Sequence, residues 1–336
     1  MEIDKGLAER LSAEIADFKK IWEAAAKETG HKVGESCAPD ADLSGQCEVP
    51  PSTAAYYDKV AEASSRVDRL IIEGIRQIED KANLELKVPR SKAWVWGGPT
   101  PFWFGSLADD SLLKGAEFFD VPNVVYVGGP VEEKFIAPLA KFDKVMVQMT
   151  DTCRAKQFQP ESDEECASKV SEFSARYPNI ISGMLDDATH TGHNKELKLD
   201  GEVFRKVQES ARKFNPAMQV TCVIYMHELD QYDFTPMLPY IDRVVLWFWS
   251  KQDLLRLDER FERCRQIFAG KEIFLGIFIH DYGCADLGNP PECLKFQMHK
   301  AARLIKDGKL GGIVILGDRE IRKWPASAQA VKDCLE

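Results

Sequence analysis

The chain has 336 residues, 44% of them hydrophobic and 29% charged, with a formal net charge of −10. That length suits one large domain with an extension better than two equal domains, and the apolar content is ample for a sizeable core. The acidic balance argues against wide contact with nucleic acid, whose phosphates need clustered Lys and Arg, and no apolar run approaches the roughly 18 residues of a membrane span.

The chain opens on MEIDKGL, which is polar and unlike a secretory signal. Leu7, Leu11, Ile15, Phe18 and Trp22 then recur at spacings of four and three, the pattern of an amphipathic helix. A loop rich in Gly, Pro and Asp follows. A second long helix is predicted from Val60, Val67, Leu70, Ile71, Ile75 and Ile78, which share one face. Residues 1–90 are therefore expected to form a helical hairpin packed on the rest of the chain, with a partner-binding arm as the alternative.

From Ala93 short apolar runs alternate with helical segments. The runs AWVWGG, NVVYVG, KVMVQMT, IISGMLD, MQVTCVIYM, RVVLWFW, EIFLGIFIH and GGIVILG begin at residues 93, 123, 144, 180, 218, 243, 272 and 311. Near-continuous apolarity marks parallel strands buried on both faces, and strand–helix repetition implies right-handed crossovers. Eight such units predict a closed (β/α)8 TIM barrel over residues 91–336. The alternative, a doubly wound open sheet, would favour a Gly-rich phosphate turn after the first strand, and GGPTPFWFG contains none.

Nine cysteines are present. Cys37 with Cys47, Cys153 with Cys166, and Cys284 with Cys293 bracket loop-like sequence, so three local disulfides and a secreted or extracytoplasmic setting are expected. Cys222, Cys264 and Cys334 read as free thiols. The alternative is nine reduced thiols in the cytosol. No Cys/His spacing fits a structural zinc site.

Barrel chemistry gathers where strands end. Asp186, Asp187, Glu228 and Asp281 follow three of the apolar runs. Glycoside cleavage uses two carboxyl groups across the scissile bond, one to protonate the leaving oxygen and one to attack or to activate water. Asp187 is the expected general acid beside Asp186, Asp281 the nucleophile or base, and Glu228 the alternative partner. Asp253 and Asp318 read as caps of the helices that follow them. Trp96, Trp103, Tyr126, Trp249 and Tyr282 offer flat faces for a sugar, and Gln148, His227 and His280 hydrogen-bonding groups for its hydroxyls. No cofactor is required on this reading. In the metal-dependent alternative, His227, Glu228, His280 and Asp281 would hold a divalent ion.

At MLDDATH, YMHELD, VVLWFWSKQDL and IFIHDYG the sequence resembles a group of barrel proteins described as glycoside-hydrolase-like. The resemblance runs from about Trp94 to Trp324. It implies a barrel and a carbohydrate-related role with a small-molecule or oligosaccharide ligand. The best-known retaining barrel glycosidases place acid/base and nucleophile Glu residues after strands 4 and 7, where this sequence has the shorter Asp187 and Asp281. Together these readings predict a carbohydrate-active hydrolase. A metal-dependent hydrolase, isomerase or lyase is one alternative, and a non-catalytic sugar-binding barrel is the other.

Overall fold

The computed structural model describes residues 3–29, 51–79, 84–99, 110–149, 162–187, 189, 200–281 and 287–336. All eight apolar runs are strands, each beginning within one residue of its expected start: β1 (Ala93–Gly97), β2 (Asn123–Tyr126), β3 (Lys144–Gln148), β4 (Ile180–Leu185), β5 (Gln219–Tyr225), β6 (Arg243–Trp247), β7 (Glu272–Phe278) and β10 (Gly312–Leu316). They form a closed barrel in the order β1-β10-β7-β6-β5-β4-β3-β2. Closure is made by parallel pairing of β1 with β10, with Ala93 opposite Ile313 and Trp96 opposite Leu316. No edge is left, so the open-sheet alternative is excluded. A small antiparallel ladder, β8 (His280–Asp281) with β9 (Leu287–Gly288), stands on the end of β7.

Alternation along the strands separates two apolar sets. Trp94, Trp96, Met146, Met184, Val223, Tyr225, Val245, Trp247, Phe274 and Phe278 fill the barrel interior. The intervening residues, Val95, Val124, Val147, Ile224 and Leu275 among them, join the larger core beneath the helices. At the N-terminal end of the barrel, buried Arg243 bonds Glu272 at 2.7 Å and Gln219 at 2.8 Å, and its guanidinium lies 4.6 Å from the centre of the Phe274 ring. The interior is thus filled, and the opposite end is where it can open. Among the described residues no helix is long and apolar enough to cross a membrane.

The N-terminal helices are α1 (Lys5–Thr29) and α2 (Pro51–Ile78). Leu7, Leu11 and Phe18 of α1 and Val60, Val67, Ile71 and Ile75 of α2 are buried, on the faces their periodicity marks. Gly74 lets α2 approach the segment after β6, because a Cβ there would meet Leu255 at 3.0 Å. Beside this contact Lys251, 1% exposed, reaches Asp68 of α2 at 2.5 Å and Ser64 at 2.6 Å, and lies 3.5 Å from Asp281 at the end of the barrel.

Among the described residues there is no disulfide. Cys222, Cys264 and Cys334 are free thiols, as expected, and so is Cys293. The sequence pattern pairs Cys293 with Cys284, and the structure overturns this. Cys293 lies instead in the first turn of α8 (Pro291–Lys306), fully buried toward the core, and burial pushes its thiol pKa up. Cys37, Cys47, Cys153 and Cys284 lie outside the described residues.

Breaking a buried ion pair by removing one partner typically costs about 3–5 kcal/mol, because it strands the other charge. Lys251→Met leaves the buried Asp281 carboxylate and the half-buried Asp68 carboxylate without their shared cation and is expected to lose about that much. Urea unfolding would register it as a lower midpoint, and an unchanged midpoint would show that the hairpin docks on apolar contact alone.

Candidate active site

At the C-terminal mouth, β4 ends in Leu185 and the chain turns at Asp186 and Asp187, both half-buried. Asp187 has a φ of 49°, in the left-handed region. Its carboxylate accepts a hydrogen bond of 2.7 Å from the Tyr225 hydroxyl at the end of β5. Tyr225 is an interior residue, 7% exposed, and its ring meets the Trp249 ring edge-to-face at 4.9 Å and stacks on His227 at 5.7 Å. His227 is exposed and Trp249 half-exposed. Asp187, Tyr225, His227 and Trp249 therefore line one rim where the interior meets water, with Asp186 in the turn beside them.

Beneath this rim lies a buried aromatic floor. Trp96, 8% exposed, meets Trp247 edge-to-face at 5.7 Å, and Trp247 packs on Phe278 at 4.4 Å. The Trp247 ring lies across Gly276 of β7, where any Cβ would collide with it. Gln148 is also buried, and its side-chain oxygen accepts from the Gly128 amide at 2.6 Å.

The other expected acids are placed differently. Glu228 is 1% exposed, in the short 3-10 helix Met226–Asp230 that follows β5. It accepts from the Tyr225 amide at 2.9 Å and from the Thr189 hydroxyl. Burial raises its pKa, and the nearby charge of Asp187 adds to the rise. Asp281 is 1% exposed and its carboxylate faces Lys251, accepting from the Lys251 amide at 3.3 Å. The structure thus turns Asp281 toward α2 and brings Asp187 to Tyr225. Asp253 accepts from the Ser250 amide at 3.2 Å within the short helix Lys251–Arg256, and Asp318 accepts from the Ser111 hydroxyl at 2.7 Å and the Gly98 amide at 3.3 Å; both are structural anchors, but neither is the cap of a following helix that was expected.

Two residues expected to bind sugar, Tyr126 and His280, are buried away from this rim. Tyr126 faces the helices, because Val125 and Val127 take the inward positions on β2; its hydroxyl donates to the Pro130 carbonyl at 2.8 Å. His280 is fully buried, stacked on Trp324 at 4.9 Å, with Nδ1 3.8 Å from Glu320. Burial lowers its pKa to about 3, so its ring is neutral near neutral pH. Trp103 and Tyr282 lie outside the described residues. The four residues of the metal alternative keep separate company: His227 on Tyr225, Glu228 on Thr189, His280 on Trp324 and Asp281 on Lys251. Among the described residues no group of three His, Cys, Asp or Glu side chains is gathered closely enough to hold a metal ion.

Tyr225, Trp247 and Lys251 are the residues that strand-end reading passed over. Tyr225 carried a signal, since it shares its parity with Val223, which is inward. Nothing in the sequence linked Lys251 to Asp68.

No family model and no curated protein matches the chain. Similar solved structures include a xylanase-alpha-amylase inhibitor protein, XAIP-I, in complex with trehalose, at 15% identity over 74% of this chain and 98% of that one, with a TM-score of 0.46. A GH18 chitinase from Pseudoalteromonas aurantia is 13% identical over 71% of this chain and 100% of that one, with a TM-score of 0.45. A family 18 chitinase from Crocus vernus is 14% identical over 72% and 98%, with a TM-score of 0.46. At these values the likeness carries no argument about activity.

Glu320, buried beside Asp318, has its pKa raised by burial from 4.5 to about 7. A carboxyl whose folded pKa is raised stabilises the fold below its unfolded pKa, and that contribution fades as pH rises through the folded value. Glu320→Gln should therefore gain stability relative to the unmodified chain as pH rises from about 4.5 to about 7. Urea midpoints at about pH 5 and about pH 8 would show a larger difference at the higher pH; an equal difference would mean that Glu320 ionises normally.

Proposed function

We propose that this chain is a carbohydrate-active hydrolase acting at the C-terminal mouth of the barrel. The observation that supports this most is the Asp187–Tyr225 hydrogen bond at a rim that also holds Trp249 and His227. A carboxylate fixed by a phenol beside an indole face suits a sugar ring: the indole stacks on the apolar face, and the carboxylate meets charge developing at the anomeric carbon. Asp187 is the acid that meets substrate. Asp186, adjacent in the same turn, is the second carboxyl of this reading. Glu228 stands behind them as a buried carboxyl coupled to Asp187 by charge. Trp96 forms the floor of the sugar platform, and Trp103 and Tyr282 would extend it. No cofactor enters this reading.

A second reading has its own observation in favour. Asp281 faces Lys251, so the carboxylate expected opposite Asp187 is occupied by an ion pair. That favours a sugar-binding barrel without turnover, in which Asp187 and His227 hydrogen-bond hydroxyls and Trp249 stacks.

The two readings part on one set of variants, assayed against a panel of aryl glycosides and oligosaccharides for release of reducing sugar. For a hydrolase, Asp187→Asn should reduce turnover by at least about a hundredfold with binding nearly intact, since a positioned acid/base group contributes roughly that much or more. Tyr225→Phe should reduce turnover about tenfold by loosening Asp187. Asp281→Asn should leave turnover within a few-fold and lower stability. Binding without any turnover would establish the second reading, and full activity in Asp187→Asn would remove Asp187 from the chemistry.

A further inference from the structure

Away from the mouth, on the N-terminal side of β1, three side chains from separate parts of the chain form a relay. Cys334 follows α10 (Pro325–Asp333), His299 lies on α8, and Glu79 follows α2. The Cys334 sulfur is 3.9 Å from His299 Nε2, and His299 Nδ1 is 3.1 Å from a Glu79 carboxylate oxygen. In the tautomer that carries its proton on Nδ1, His299 donates to Glu79 and turns its Nε2 lone pair to the thiol. The order is nucleophile, base, then a carboxylate that orients the base, which is the arrangement that activates a thiol.

The setting differs from that of the other buried thiols. Cys222, Cys264 and Cys293 are 0% exposed and packed in the core, whereas Cys334 is 5% exposed and its relay runs out to Glu79, whose side chain is 20% exposed. Burial pushes the Cys334 thiol up, with Lys295 and Lys87 favouring the thiolate and Asp333 and Glu79 opposing it. A thiol held protonated in this way needs a base to react, and His299 is in contact. A surface hollow of about 520 Å³, lined by Glu85, Lys87, Lys306 and Glu336 with apolar side chains between them and by none of the three relay residues, is joined to the relay through the backbone. Val88, between two residues of that wall, donates its amide to the Cys334 carbonyl at 2.9 Å and accepts from the Glu336 amide at 3.1 Å. Two lysines and two glutamates beside an apolar wall match a small ligand that carries both carboxylates and an ammonium group.

We propose that Cys334, His299 and Glu79 form a thiol-exchange site that takes a small zwitterionic disulfide of the glutathione disulfide class. His299 Nε2 takes the thiol proton as the Cys334 sulfur attacks one sulfur of the disulfide. The disulfide S–S bond breaks as the new S–S bond to Cys334 forms. The departing thiolate recovers the proton from His299, so the products are a mixed disulfide on Cys334 and one free thiol, with no external oxidant.

The test treats the reduced full chain with glutathione disulfide under native conditions and follows each cysteine by peptide mass spectrometry. Mixed disulfide should form at Cys334 at least about tenfold faster than at Cys222, Cys264 or Cys293. His299→Gln should slow it about a hundredfold, the contribution of a positioned base. Glu79→Gln, a change at a partly exposed carboxylate, should slow it about tenfold without shifting the thermal midpoint, and it decides the matter if His299→Gln fails to fold. Reaction at Cys334 no faster than at the core thiols would overturn the proposal. So would unchanged rates in Glu79→Gln together with any folded His299 variant, which would make the relay a structural clasp.

Discussion

Closure of the sheet is the constraint on which the rest depends. Once β1 pairs with β10, every strand has two neighbours, no backbone edge is left to satisfy, and each strand has one face inward and one outward. The fate of each aromatic residue near a strand end then follows from parity. Tyr225 falls on the inward face and reaches Asp187, whereas Tyr126, at the end of an equally apolar strand, falls outward and bonds the Pro130 carbonyl. The two tyrosines have the same chemistry, and one position of alternation separates a rim residue from a core residue. The same rule fixes the floor: Trp247 lies flat only because its inward neighbour on β7 is Gly276.

The buried charges around Lys251 do a second kind of work. A buried ion pair contributes little net stability, because desolvation offsets most of the attraction, but a mismatched partner is costly. Apolar contact between α2 and the barrel is non-directional and would tolerate sliding along the helix. Lys251, shared between Asp68 of α2 and Asp281 of the barrel, accepts one register, and Gly74 against Leu255 fixes the depth of approach. This accounts for an acid at the end of β7 that is turned away from the mouth. Asp281 holds the extension in place, and its position at a strand end does not by itself make it a member of the site.

The barrel was legible because its signal is local. Each strand is a run of apolar residues between helical segments, and eight runs in order leave few topologies. The hairpin was legible for the same reason, from the spacing of Leu7, Leu11 and Phe18 and of Val60, Val67 and Ile71. The site was legible only in part. Strand ends are visible in the sequence, which is why Asp187, His227 and Trp249 could be expected near one another at the mouth. The direction of a side chain at a strand end is not visible where the chain leaves regular structure, so Tyr126 and His280 were expected at the site and lie in the interior. Partners distant in sequence leave no local mark: Asp68 and Lys251 are 183 residues apart. The Cys293 assignment failed because proximity to a loop said nothing of which way the first turn of α8 presents its side chain.

Asp187 shows how local strain and long-range contact combine at the rim. Regular alternation past Met184 would direct Asp186 inward and Asp187 outward, leaving the Tyr225 hydroxyl to a different partner. A φ of 49° at Asp187 breaks that alternation. The left-handed conformation costs a non-glycine residue on the order of 1 kcal/mol or more, although Asp and Asn bear it better than most because their short polar side chains bond locally. Glycine would relieve the strain and remove the carboxylate. A residue that keeps both the unfavourable backbone and the polar side chain needs something to hold it there, and the 2.7 Å bond from Tyr225 supplies it. Tyr225 is in turn clamped by Trp249 and by the stack on His227, so the position of one carboxylate is set by three rings on two strand ends. Strained residues fixed by over-determined surroundings cluster where proteins bind and react. In this chain the strain falls on the acid that stands at the open end of the barrel.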